Sequence, residues 1–314
     1  MFRKFKEEYR SSLKSMDTEE HIDLAFYRPI GFAWACLAAR FGVSPNAITI
    51  ASIFLGVGAG ILFYYPTLWI NVIGMLLLVW ANSFDSADGQ LARMTRQYSR
   101  LGRILDGLSG DFWFIAIYVA ICLRENTFSP FFSAHPWIIW TGAVVTGICH
   151  AKQAAMADYY RQFHLYFLKG EEGSELESTS DLRHQMQENG VTWKSHFWRR
   201  LTLAFYLSYT RQQEATSPAM QALRRELKAR FGHHAPSREF REAFREASLP
   251  LMKYTNILSF NWRTIALFTS LFIGQPWIYF AFELTVLNNL LIYMIQRHEA
   301  VCRYFTCELK DGKF

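Results

Sequence analysis

The chain has 314 residues, a formal charge of +6 and a mean hydropathy near zero, with 51% hydrophobic residues. Those averages conceal long charge-free blocks separated by strongly charged ones, which argues against a soluble globular domain and for a membrane protein. Five cysteines (Cys36, Cys122, Cys149, Cys302 and Cys307), an odd number without metal-ligand spacing, exclude a disulfide scaffold and read as small apolar fillers.

In chain order, Met1 to Arg28 alternates charge with scattered aromatics and lacks the apolar core of a secretory signal, so residues 1–28 are expected as a cytoplasmic segment. Pro29 to Phe41 is apolar on most faces but too short to cross, and predicts a helix lying along the membrane interface. Between Arg40 and Asp85, 44 consecutive residues carry no Asp, Glu, Lys or Arg. A bilayer core needs about 20 apolar residues per helix, so this stretch predicts two spans. The first covers about 45–64, with Ser44 as cap and Pro45 at the first helical position, and the second about 67–84. A third span is expected from near Leu101 to Leu123, a fourth over about 136–160 and a fifth over about 254–273. The Gly274-Gln275-Pro276 turn then leads into a sixth over about 277–296. The expected fold is therefore all-α and polytopic: six transmembrane helices, an N-terminal interfacial helix and a helical cytoplasmic insert over 161–253. The remaining divisions are 29–160 for the interfacial helix with spans one to four, 254–297 for spans five and six, and a cytoplasmic tail over 298–314.

Basic residues gather in the amino terminus, the Arg93–Arg103 connection, the insert and the tail, while the opposite connections hold almost none. The positive-inside rule therefore puts both termini and the 161–253 segment in the cytoplasm. The insert carries 15 Lys/Arg against 11 Asp/Glu. Within it, Trp193 to Arg211 mixes aromatic and basic residues, which suits either a helix resting on anionic lipid or a small domain packing that face on itself. Glu171–Asp181 reads as a loop, and His233-His234 is no metal motif by itself.

Carboxylates at membrane depth are expensive and mark function by default. Asp85 and Asp88, three residues apart at the cytoplasmic end of the second span, share a helical face. Asp106, early in the neighbouring third span, can face them across a short basic connection. Without His or Cys, such a group is an all-oxygen site suited to Mg²⁺, Mn²⁺ or Ca²⁺, and a hard ion there invites a phosphate-bearing substrate. Gly89, Ala92 and Gly102 keep the surface small enough for a nucleotide, and Arg93 can add a bidentate phosphate contact.

Asp85-Ser-Ala-Asp88-Gly89-Gln-Leu-Ala92-Arg93, eight residues, Gly102-Arg-Ile-Leu-Asp106 resembles the signature of the CDP-alcohol phosphotransferases, D-x2-D-G-x2-A-R-x8-G-x3-D-x3-D, at seven of eight positions. The resemblance implies an integral-membrane homodimer that needs Mg²⁺ or Mn²⁺ and works in phospholipid biosynthesis. It implies a CDP-linked lipid donor, CDP-diacylglycerol by preference, a small alcohol acceptor such as inositol phosphate, and release of CMP. Asp85, Asp88 and Asp106 would match the metal ligands; Gly89, Ala92, Arg93 and Gly102 would match the nucleotide-binding positions. The expected partners are the donor, the acceptor and membrane lipids, and not nucleic acid.

The last signature Asp, the family's general base, should fall at position 110, which is Gly. Asp111 is the nearest carboxylate. On a regular helix it lies about 140° from Asp106, against about 40° for position 110. A one-residue π-type insertion near Gly107 and Gly110 is expected to turn Asp111 toward the site as the catalytic base. On the acceptor side, Lys152, Arg161 and Arg263 resemble in placement the basic residues that hold inositol phosphate in related synthases. Head-group transfer from CDP-choline or CDP-ethanolamine to a lipid hydroxyl stays open, as does a non-catalytic lipid-binding relative. A transporter fits poorly, because the carboxylates cluster at one side and no internal repeat occurs.

Overall fold

The computed structural model describes residues 9, 12, 17–97, 100–169, 178–188, 197–232 and 236–314; among them there are helices and turns and no strand. A short π-helical turn, Asp23–Tyr27, runs into α1 (Arg28–Arg40). Then follow α2 (Pro45–Leu62), α3 (Leu68–Thr95), α4 (Arg100–Phe128), the short α5 (Pro130–Ala134) and α6 (Pro136–Lys169). Next come α7 (Thr179–Glu188), α8 (Phe197–Thr216), α9 (Pro218–Phe231) and α10 (Arg238–Ile257). The chain ends with α11 (Phe260–Phe272), α12 (Trp277–Phe282), a second π-helical turn (Glu283–Leu287) and α13 (Asn288–Lys310). The described residues form two units. One holds those up to His150 together with Phe260–Thr285; the other holds Ala151–Ser259 together with Val286–Phe314.

Among the described residues four helical stretches, not six, are long and apolar enough to cross a membrane: Pro45–Leu62, Leu68–Thr95, Leu105–Phe128 and Trp277–Lys310. The expected fourth span lies within α6, which has the length but turns polar at His150, Lys152, Gln153, Asp158 and Arg161. The expected fifth is broken. Tyr254 to Ile257 end α10, the chain turns at Leu258 and Ser259, and α11 has only 13 residues. At about 1.5 Å per residue α11 is some 20 Å long, short of the roughly 30 Å core. The segment expected as an interfacial helix is helical, as α1, and packs on α3.

Local sequence explains how the first unit is assembled. Ser44 caps α2, its Oγ accepting from the Ala47 N–H at 3.3 Å, with Pro45 just inside. Helix α3 stops where Arg96 takes a left-handed conformation, φ 56°. Small residues on α2 then bring three helices into contact. A Cβ on Gly56 would lie 2.1 Å from the Trp113 indole of α4, one on Gly60 would press the α4 backbone at Ala116 and Ile117, and one on Gly74 of α3 would meet Phe63. Close backbone approach through small residues is how apolar helices pack when no hydrophobic drive separates protein from lipid. Around these contacts lie Ala59, Leu78, Trp113, Ile117, Leu267 and Tyr279, all buried. At the far end of α4, Arg124 Nη1 donates to the Phe63 and Tyr65 carbonyls, 3.2 Å each, and closes the α2–α3 turn.

The second unit combines the end of α6, helices α7 to α10, and α13. Glu299 of α13 accepts from the Ala219 and Met220 N–H groups, 2.8 and 3.2 Å, and so caps α9. Arg230 at the other end of α9 donates to the Leu309 carbonyl at 2.6 Å, so α9 and α13 run side by side in the same direction. Phe163, Phe167, Phe240, Phe244 and Phe305 form the aromatic centre. Residues 298–314, expected as a tail, are thus mostly helix packed on the insert. Trp193, Lys194, residues 171–177 and His233-His234 lie outside the described residues.

Candidate metal centre

The site is built on three helices of the first unit. Asp85 and Asp88 stand one turn apart on α3, and Asp106 stands in the second turn of α4. Each offers a carboxylate oxygen, and the three atoms lie within 4.8 Å of one another. Asp88 is 3% exposed, Asp85 half-buried and Asp106 exposed, so the cluster opens on one side only.

Two hydroxyls that sequence reasoning passed over hold these carboxylates. Thr49 of α2 donates from Oγ1 to Asp88 Oδ2, and Ser109 of α4 donates from Oγ to Asp85 Oδ1 at 2.6 Å. Their signal in the sequence is faint. Thr49 stands one turn after Pro45 and Ser109 three residues after Asp106, and only helix packing shows that both face α3. Asp88 Oδ1 is buried and has no hydrogen-bond partner. An unpartnered buried carboxylate oxygen beside two further carboxylates fits a hard divalent cation. At an effective dielectric near 20, two like charges at this separation repel by about 3 kcal/mol, and an oxygen-only donor set suits Mg²⁺, Mn²⁺ or Ca²⁺.

Gly89 is half-buried, and a Cβ built on it would lie 3.4 and 3.5 Å from Arg93 Nη1 and Nη2, so the guanidinium of Arg93 lies over this glycine. Arg93 Nε donates to the Ser12 carbonyl at 2.5 Å. Ala92 and Gly102 are half-buried. Thus Asp85, Asp88 and Asp106 converge, and Gly89 and Arg93 meet beside them.

Asp111 does not join the group. Helix α4 is regular from Arg100 to Phe128, without the expected π insertion; among the described residues the π-helical turns lie at Asp23–Tyr27 and Glu283–Leu287 instead. On a regular helix Asp111 sits about 140° from Asp106. Its carboxylate is exposed and interacts electrostatically with His150 of α6.

Arg263 lies in a second polar cluster of the same unit, one the sequence did not reveal. It is 1% exposed, and its Nη1 lies 2.9 Å from Glu283 Oε1 and 2.9 Å from His150 Nδ1. Tyr118 donates to Glu283 Oε2 at 2.8 Å and its hydroxyl is 3.0 Å from His150 Nδ1; Tyr279 donates to Glu283 Oε1. Arg161 and Lys152 belong to the second unit. There Arg161 Nη2 donates to Asn256 Oδ1 (2.9 Å) and Ser259 Oγ (2.8 Å), while Lys152 is exposed.

Residues 42–163 match the family model described as CDP-alcohol phosphatidyltransferase, a stretch that contains the carboxylate cluster, Gly89, Ala92, Arg93 and Gly102. Comparisons with curated proteins and with solved structures give no match.

Proposed function

With residues 42–163 forming a CDP-alcohol phosphatidyltransferase domain, we propose that this chain transfers a phosphatidyl group from CDP-diacylglycerol to a small polar alcohol, such as inositol phosphate, and releases CMP. The family that this domain matches moves a phosphatidyl group from a CDP-alcohol to an acceptor, and the four long apolar helices fit a multi-pass membrane protein. The observation that carries the finer reading is the convergence of Asp85, Asp88 and Asp106 with an unpartnered oxygen on Asp88, at the positions the signature requires.

In this reading the three carboxylates hold Mg²⁺ or Mn²⁺. Bound there, the ion supplies charge neutralisation to a diphosphate. Thr49 and Ser109 fix the carboxylates in orientation, as outer hydrogen-bond partners of metal ligands do. Gly89 and Ala92 leave room for the cytidine diphosphate, Gly102 lines the same floor, and Arg93 contributes a guanidinium to its phosphates. Asp111 takes the proton of the acceptor hydroxyl, whose oxygen attacks the alcohol-side phosphorus in line; the P–O bond to CMP breaks as the new P–O bond forms. Lys152, Arg161 and Arg263 are the proposed acceptor-binding residues. The active site and both termini face the cytoplasm, and the chain works as a homodimer.

The test is CMP release by the purified full chain in lipid, with CDP-diacylglycerol, Mg²⁺ or Mn²⁺, and inositol phosphate, inositol, glycerol phosphate, serine or phosphatidylglycerol in turn. Turnover with one acceptor identifies the product. Silence with all five, but turnover of CDP-choline with diacylglycerol, replaces this reading with head-group transfer. Silence throughout would leave a lipid-binding relative without catalysis.

A further inference from the structure

Arg28 at the start of α1 is a charge beside the carboxylate cluster that the reading above leaves unused. Its Nε donates to Glu19 Oε2 at 2.9 Å and its Nη1 to Ser86 Oγ at 3.2 Å, which leaves Nη2 uncommitted to either. Ser86 is the residue after Asp85, and Arg28 and Asp85 interact electrostatically. The placement is built rather than incidental. Gln90 Nε2 donates to the Arg28 carbonyl at 3.2 Å, and one turn later Gly31 lets α1 settle on α3, since a Cβ there would come within 2.9 Å of Ser86 Oγ and Gln90 Oε1.

Positions on α3 show what lies between this arginine and the carboxylates. At about 100° per residue and with Asp85 as origin, Asp88 falls near −60°, Gly89 near +40°, Arg93 near +80° and Ser86 near +100°. Gly89 therefore lies between the carboxylates on one side and Ser86 and Arg93 on the other, with Arg28 held at Ser86 and the Arg93 guanidinium over the glycine itself. The two arginines differ in depth. Ser86, which holds Arg28, stands three residues before Gly89, over which the Arg93 guanidinium lies, and so about 4–5 Å nearer the apolar part of α3.

We propose that Arg28 binds the alcohol-side phosphate of the CDP-linked donor, while Arg93 serves the phosphate nearer the nucleoside. This deepens the reading given above and rests on it. A diphosphate laid along Gly89 has its alcohol-side phosphate toward the apolar end of α3, where Arg28 stands, and a guanidinium matches phosphate geometry in a way a point charge does not. Glu19 holds the arginine in place until the donor arrives, so Glu19 and the phosphate compete for it.

The experiment is calorimetric titration of the detergent-solubilised full chain, with Mn²⁺ present, by CDP and separately by CMP, which lacks the second phosphate. Arg28→Ala is expected to weaken CDP at least tenfold and to change CMP by less than threefold, with Arg28→Lys in between. Glu19→Gln is expected to bind CDP as tightly as the unmodified chain or more tightly. If Arg28 only braces α1, Arg28→Ala and Glu19→Gln weaken both nucleotides alike, and the proposal falls. It also falls if Arg28→Ala binds CDP as the unmodified chain does. Should Arg28→Ala fail to fold, Arg28→Lys and Glu19→Gln decide by the same signs. An unmodified chain that binds neither nucleotide would overturn the nucleotide reading itself, and this inference with it.

Discussion

Two charged clusters share the first unit, and they are balanced in opposite ways. Around Glu283 every charge has a counterpart: Arg263 pairs with the carboxylate, two tyrosine hydroxyls donate to it, and both charged residues are almost wholly buried. Around Asp88 three carboxylates stand together, one buried oxygen has no partner, and one side is open. The first arrangement is closed and neutral, and ties α4, α6, α11 and the second π-helical turn together. The second leaves three carboxylates together, an arrangement compatible with a cation. Buried charge in this unit is thus of two kinds, one matched within the fold and one gathered with a single sign.

The strongest way to break this contrast is to remove carboxylates from the open cluster. Asp88→Asn or Asp106→Asn should cut CMP release by more than the roughly 10- to 100-fold that outer-shell partners cost, and unchanged turnover would dismiss the cluster as a metal centre. In the closed cluster the expected loss is of stability. Arg263→Met leaves Glu283 buried and uncompensated and should cost about 3–5 kcal/mol, whereas Arg263→Met combined with Glu283→Leu should recover much of it. Thermal unfolding in detergent measures both. Acceptor affinity unchanged in both variants would remove Arg263 from the proposed acceptor-binding residues.

A smaller effect is expected where packing supports the open cluster. Gly56→Ala drives a Cβ into the Trp113 indole and should cost about 1–3 kcal/mol, while Gly58→Ala meets open space and should fall within about 0.5 kcal/mol of the unmodified chain. Thr49→Val, which takes away the hydroxyl on Asp88, should weaken Mn²⁺ binding by about 10- to 100-fold; equal affinity would mean that Asp88 needs no such support. The last test concerns the base. A Cβ at Gly110 meets no atom within 4 Å, so Gly110→Asp can be accommodated. Activity lost in Asp111→Asn and regained in Asp111→Asn/Gly110→Asp would show that a carboxylate is needed and that either face of α4 can present it. Full activity of Asp111→Asn would remove Asp111 from the mechanism.

Much of the open cluster is legible in the sequence. Asp85 and Asp88 lie at helical spacing, and Asp106 follows a short connection. Ser44-Pro45 and Gly274-Gln275-Pro276 mark helix boundaries where they occur, the latter with Gly274 at φ 75°. The closed cluster is not legible. Its members stand at positions 118, 150, 263, 279 and 283, and apart from Tyr279 and Glu283, one helical turn from each other, no local pattern links them. The break at Leu258 and Ser259 escapes the sequence because an apolar run shows length, not continuity.

The sequence by itself determined the charge-free segments, the helical punctuation and the signature carboxylates, because each depends on neighbours within a turn or two. The tertiary structure decided which charges are matched. Arg263 is engaged by Glu283, Asp88 is held by Thr49, and Asp111 stays off the cluster because α4 runs without an insertion. Pairing a charge is a matter of a few ångströms between helices, and only packing through residues such as Gly31, Gly56 and Gly60 sets those distances.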